Sequence, residues 1–147
     1  MDLSDYNMIN KQQYVKFGSR RGEHGDIFLL DIFYNHNIVF AEIKAGAKKV
    51  QEKSFKKGTK IIIADGLTVV ALAIAETDSN SLDTFTDINF SEEERSRMNI
   101  SNSVIAAKVK IYTLKEEDRF KTIIGKFFHI KKEEIKNKID SILSKYN

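Results

Sequence analysis

The chain has 147 residues, with 24 lysines and arginines against 21 acids, and contains no cysteine, proline or tryptophan. That length suits one domain able to bury a core without covalent staples, and the lack of cysteine excludes disulfides, zinc thiolates and thiol nucleophiles. The net charge of +3 says less than its distribution: Lys44 to Lys60 holds seven lysines against one glutamate, Glu76 to Glu94 is acidic, and the chain from Lys108 onward is lysine-rich again.

The reading in chain order starts from a single domain over residues 1–147, with 1–12 as a flexible N-terminal segment. MDLSDYNMIN has neither a basic flank nor an apolar run, and no segment reaches transmembrane length, so cytoplasmic residence is the expectation. Residues 14–18 (YVKFG) alternate and predict a strand with Tyr14 and Lys16 opposite Val15 and Phe17. A charged, glycine-punctuated loop follows, SRRGEHG. Residues 26–34 predict a helix capped by Asp26, with Ile27, Leu30 and Tyr34 as its stripe and Asn35-His36-Asn37 as its stop. Residues 37–43 predict a strand, and 44–55 a short polar helix anchored by Val50 and Phe55.

Residues 59–64 and 68–76 predict a hairpin turning at Asp65-Gly66, because an Asp-Gly pair between apolar runs tolerates positive φ. Both strands are apolar at successive positions, the pattern of strands covered on two faces. Residues 78–86 are polar and irregular. Ser91 with Glu94 matches a capping box. A long strand with one solvated face is predicted over 102–114, a last strand over 125–130, and an amphipathic helix over 131–146 with Ile135, Ile139, Ile142, Leu143 and Tyr146 on its apolar face. The fold class is therefore α+β: a bent sheet of five to six strands, flanking short helices and a C-terminal helix.

The order and wording of these pieces resemble the PUA-like superfamily, in its EVE and ASCH branches and more distantly YTH. The matching residues are Tyr14-Val-Lys-Phe-Gly-Ser19, the helix over 26–34, Asn37-Ile-Val-Phe40, Phe55-Lys-Lys-Gly58 leading into Lys60-Ile-Ile-Ile63, the strand 69–76, and Ala107-Lys-Val-Lys-Ile111. The similarity spans residues 14–130 and rests on order, each motif being short. Thr59 stands where the family has aspartate, Ala73 where glycine is common, and the tryptophans that cage a methylated base in YTH readers are absent.

The resemblance implies a small β-barrel that binds RNA, DNA or a modified nucleobase at its mouth without catalysis or cofactor. An extruded base needs an apolar surface and hydrogen-bonding groups, with cations around it for phosphates. By position the pocket falls on Phe17, Gly18, Ser19 and Phe40. Arg20 and Arg21 serve phosphate or stacking, and Asp65 is a turn former that could also touch ligand. Lys48, Lys49, Lys56, Lys57 and Lys60 form the rim. The alternatives stay open: core packing for the two phenylalanines, a solvated loop for the arginines, and an ordinary lysine-rich surface.

Two other functions fit the residues. Asp26 or Asp31 with Glu42 and Lys44 matches the spacing of PD-(D/E)xK nucleases, provided that residues 26–33 form a strand of the metal-binding hairpin. A protein-interaction module would use the acidic stretch from Glu76 to Glu94 or the C-terminal helix. His24, His36 and His129 show no metal-binding spacing, so no metal site is expected.

Overall fold

Every predicted helix and main strand between residues 14 and 146 forms in the computed structural model, which describes residues 11–19, 26–44, 46–98 and 100–146. The order is β1 (Tyr14–Ser19), α1 (Asp26–His36), β2 (Ile38–Glu42), α2 (Ala47–Glu52), β3 (Lys60–Asp65), β4 (Thr68–Ala75), β5 (Asn80–Ser81), α3 (Glu92–Ser96), β6 (Val104–Thr113), β7 (Phe120–Lys121), β8 (Phe127–His129) and α4 (Glu133–Tyr146). Most of the flexible segment expected over 1–12 lies outside the described residues. Gln12 is described, and its amide donates to the Gly58 carbonyl at 2.9 Å.

α1 settles residues 26–34 as a helix. It runs to His36 and stops where Asn37 adopts a φ of 51°, the left-handed conformation that asparagine tolerates. Leu30 and Phe33, three apart, are buried with Ile32, and Asp31 faces solvent. The strand that the nuclease hairpin requires at this position is not formed.

The β3–β4 turn differs by one residue from its prediction. Asp65 pairs with Thr68 as the last rung, so the two-residue loop is Gly66-Leu67. Gly66 alone supplies the positive φ, 63°, as in hairpin loops with glycine first. A bulge follows between Ile63 and Ala64.

The strands form one curled, half-barrel mixed sheet in the order β2-β6-β4-β3-β1-β8, with β5 on β6 and β7 on β4. β1 runs parallel to β3, and the other pairs are antiparallel. β6 makes the curl, because Val104–Lys108 pairs with β2 while Val109–Thr113 pairs with β4. Both faces of the centre are covered, as its unbroken apolar runs require. Ile61, Ile63, Val15 and Phe17 pack toward α1 and β2. Ile62, Leu72 and Tyr14 pack beneath Ile139, Ile142 and Leu143 of α4. The apolar face of the terminal helix is thus spent inside its own chain, and the Tyr146 hydroxyl fastens the end to Asp118 at 2.7 Å. Among the described residues no helix is long and apolar enough to cross a membrane.

Tyr14 and Lys60 begin the parallel pair and share one acid. The Tyr14 hydroxyl donates to the Asp140 carboxylate at 2.9 Å and Lys60 Nζ donates at 2.7 Å. Burial, and then the Asp140 carboxylate beside it, push the Tyr14 phenol up to about 12.

Candidate functional site

The C-terminal end of β1 collects most of what a ligand could use. Ser19 and Asp65 are register partners at the end of the parallel pair, and the Ser19 carbonyl accepts from Gly66 N–H. Gly18 N–H donates to the Lys126 carbonyl at 3.0 Å, and Thr122 N–H to the Leu67 carbonyl at 2.8 Å. The β3–β4 loop and the irregular segment 122–126 therefore flank Gly18 and Ser19. Three of the expected site residues, Gly18, Ser19 and Asp65, are brought together here.

Sequence reasoning missed the rest of this region. Leu67, Ile123 and Ile124 are 47%, 59% and 58% exposed, and they are the large apolar side chains left open among the described residues. Scattered apolar side chains on a surface need no explanation, but a group at one end of a sheet does. Lys121 and Lys126 lie beside them and are exposed. Lys121 Nζ donates to the Thr68 hydroxyl, and neither lysine pairs with a carboxylate among the described residues. The signal available in advance was Ile123-Ile124 between two lysines and before a glycine, apolar residues with no strand or helix period to absorb them.

Beneath this surface lies Lys16, 1% exposed. Its Nζ donates to the Ile123 carbonyl at 2.6 Å and stands 5.4 Å from the centroid of Phe128. Burial lowers its pKa to about 8, since an ammonium loses hydration in an apolar enclosure.

The other expected site residues fall elsewhere. Phe17 is fully buried, with the Phe127 and Phe55 ring centroids 4.9 and 6.0 Å away. Phe40 is 8% exposed and packs edge-on against Phe33 at 4.9 Å. Both are core residues, because strand alternation turns them into the cluster shared with α1 rather than toward an opening. Arg20 and Arg21 lie outside the described residues.

The expected rim is also displaced. Lys60 starts β3 beside Tyr14, while Gly18 and Ser19 end β1, so roughly 17 Å of strand separates them at about 3.3 Å per residue. Lys56 and Lys57 precede Lys60 at that far end. Lys60 is paired with Asp140, Lys49 with Glu52 at 2.8 Å, and Lys56 stands 3.9 Å from Asp78. Lys48 is exposed on α2. The resemblance implies that these lysines ring the mouth, but the parallel pairing puts Lys56, Lys57 and Lys60 at the end of the sheet opposite Gly18 and Ser19.

An open cleft of about 550 Å³ lies between the end of α1 and the start of α3, lined by Asn35, His36, Asn89, Phe90, Ser91 and Glu94. His36 Nε2 bridges both Glu94 oxygens at 2.8 and 2.9 Å, and Glu94 closes the capping box by accepting from Ser91 N–H at 2.8 Å. Burial pushes the Glu94 carboxyl up, while the Ser91 N–H and His36 together hold it below its ordinary value. These groups satisfy one another, so the cleft reads as a clasp that holds the acidic stretch against α1. A carboxyl with a depressed folded pKa contributes stability above its unfolded value and loses it as pH falls through the folded one. Ser91→Ala should cost about 1 kcal/mol in a urea titration at pH 7. The wild type should lose more stability on acidification below pH 4.5 than Glu94→Gln, and equal losses would deny the clasp its charge.

The residues of the nuclease reading lie on a helix and a strand end rather than on two strands of a hairpin. Asp31 is exposed on α1, Glu42 is exposed at the end of β2 and Lys44 lies beyond it. No group of three or more His, Asp or Glu side chains able to hold a metal ion occurs among the described residues. In comparisons with known proteins, no family model, curated protein or solved structure matches the chain.

Proposed function

We propose that the chain is a non-catalytic nucleic-acid-binding domain on a PUA-like fold, and that it takes a single-stranded segment at the Gly18–Ser19 end of the sheet. One observation carries the reading. The exposed large apolar side chains Leu67, Ile123 and Ile124 gather at that end, flanked by Lys121 and Lys126. Unpaired bases offer flat apolar faces and the backbone offers phosphates, so an apolar patch edged by cations with no carboxylate partner among the described residues complements a single strand. The Gly66 turn keeps side chains out of the approach. Ser19 and Asp65 supply hydrogen-bonding groups for a base edge. Arg20 and Arg21 follow Ser19 directly in the chain and belong to the proposal as phosphate or stacking groups. The element order on which the resemblance was drawn supports the PUA-like assignment.

Fluorescence anisotropy with single-stranded RNA and DNA, unmodified and base-methylated, tests the reading. Ile123→Asp combined with Lys121→Glu and Lys126→Glu should weaken binding by at least about tenfold. Loss of the two cations should make the salt dependence shallower by roughly 1 to 2 in log–log slope. Arg20→Ala with Arg21→Ala should act in the same direction. Unchanged affinity and slope in the triple variant would remove this end of the sheet from the function.

A further inference from the structure

Lys16 occupies a position where the fold asks for an apolar residue. It lies mid-strand in β1, in register with Ile62 on one side and Phe128 on the other. The side chain runs along the strand over Gly18. A Cβ at Gly18 would stand 2.8 Å from Lys16 Cε and 3.1 Å from Nζ, so the glycine makes the channel in which the lysine lies. Nζ ends beneath segment 122–126. An ammonium has three N–H donors, and here one described acceptor, the Ile123 carbonyl, answers it. No carboxylate among the described residues pairs with it.

The cover is lightly held. Residues 122–125 belong to no strand or helix. The segment is tied at its ends by the Thr122–Leu67 and Gly18–Lys126 backbone bonds, and in its middle by Lys16 itself. Ile123 and Ile124 spend little of their surface on the core, so displacing them forfeits little burial.

We propose that Lys16 is an interior phosphate-binding group: when segment 122–126 shifts, Nζ exchanges the Ile123 carbonyl for an oxygen of a phosphate monoester at the end of a nucleic-acid strand. A terminal monoester fits better than an internal phosphodiester because Nζ lies buried against the covering segment, where a group with one substituent enters more easily than one with two. It also carries close to two negative charges, the best complement to a cation without a carboxylate partner. The inference rests on the nucleic-acid reading and names the part of the ligand that this end of the sheet selects.

The test compares oligonucleotides of roughly ten nucleotides bearing a 5′-phosphate, a 3′-phosphate or hydroxyls at both ends, with adenosine 5′-monophosphate as a separate probe. The wild type should prefer one phosphorylated end by about tenfold, an ordinary gain for a charge-assisted contact. Lys16→Met should abolish that preference and leave binding of the hydroxyl-ended strand within about twofold. Should Lys16→Met fail to fold, Lys16→Gln, which keeps a hydrogen-bond donor and removes the charge, should give the same loss. Binding of the hydroxyl-ended strand with no phosphate preference, or a preference that survives in Lys16→Met, overturns the inference and leaves the nucleic-acid reading standing. Lys16-dependent binding of the monophosphate alone upholds the phosphate site, reassigns its source to a free nucleotide, and removes the nucleic-acid reading. Binding of none of the probes overturns both.

Discussion

Phe17→Ala should destabilise the protein by about 3–5 kcal/mol, the range for truncating a fully buried aromatic side chain. Phe17 has no exposed surface and meets the Phe127 and Phe55 rings edge-on, so the variant loses transfer energy and two ring contacts and leaves a cavity between β1 and the segment around Phe55. Against a total stability of about 5–15 kcal/mol that is a large share, and the melting temperature should fall by roughly 10 °C or more. Phe17→Leu should cost less, because the cavity is largely refilled. A variant that keeps its stability within about 1 kcal/mol yet loses ligand would return Phe17 to the binding site.

Lys16→Met should do the opposite and raise stability by about 1–3 kcal/mol at pH 7, since a packed hydrophobe replaces a buried charge that has no carboxylate partner among the described residues. The sign with pH follows from the lowered pKa. Below about 8 the lysine is charged in both folded and unfolded states, and folding bears the full desolvation penalty. Between about 8 and the ordinary 10.5 the unfolded chain holds a proton that the folded chain has released, so wild-type stability rises with pH through that window. The advantage of Lys16→Met is therefore largest at and below pH 8 and shrinks toward pH 10.5. Tyr14, pushed up to about 12, titrates alike in both proteins and cancels in the difference. Urea titrations of the pair at pH 7, 9 and 10.5 check this. A constant difference, or a variant less stable at pH 7, would mean that the bond to the Ile123 carbonyl outweighs the cost of enclosing the charge. A gain in stability accompanied by loss of phosphate preference is the signature of a group held for binding rather than for folding.

Much of the architecture was legible because its signals are local. Asn37 stopping α1, glycine in the β3–β4 loop and Ser91 with Glu94 opening α3 each depend on residues within a few positions of one another. The apolar runs of β3 and β4 announced cover on both faces, and the stripe of α4 announced the helix that supplies one of them. The candidate site was legible only in part. Gly18, Ser19 and Asp65 do meet. Phe17 and Phe40, read as pocket walls, went to the core, because an aromatic residue in a strand looks the same in sequence whether its face is lined by solvent or by a helix.

The strands, helices, caps and two-sided burial of this protein were written in its sequence, since backbone preference and apolar period act over a handful of residues. The tertiary structure alone decided that β1 lies parallel to β3, which parted Lys56, Lys57 and Lys60 from Ser19. It also brought residues 122–126 back over β1, enclosing Lys16 and exposing Ile123 and Ile124. Alternation says which way a side chain leaves its strand. What meets it there comes from more than a hundred residues away, and no local pattern encodes that.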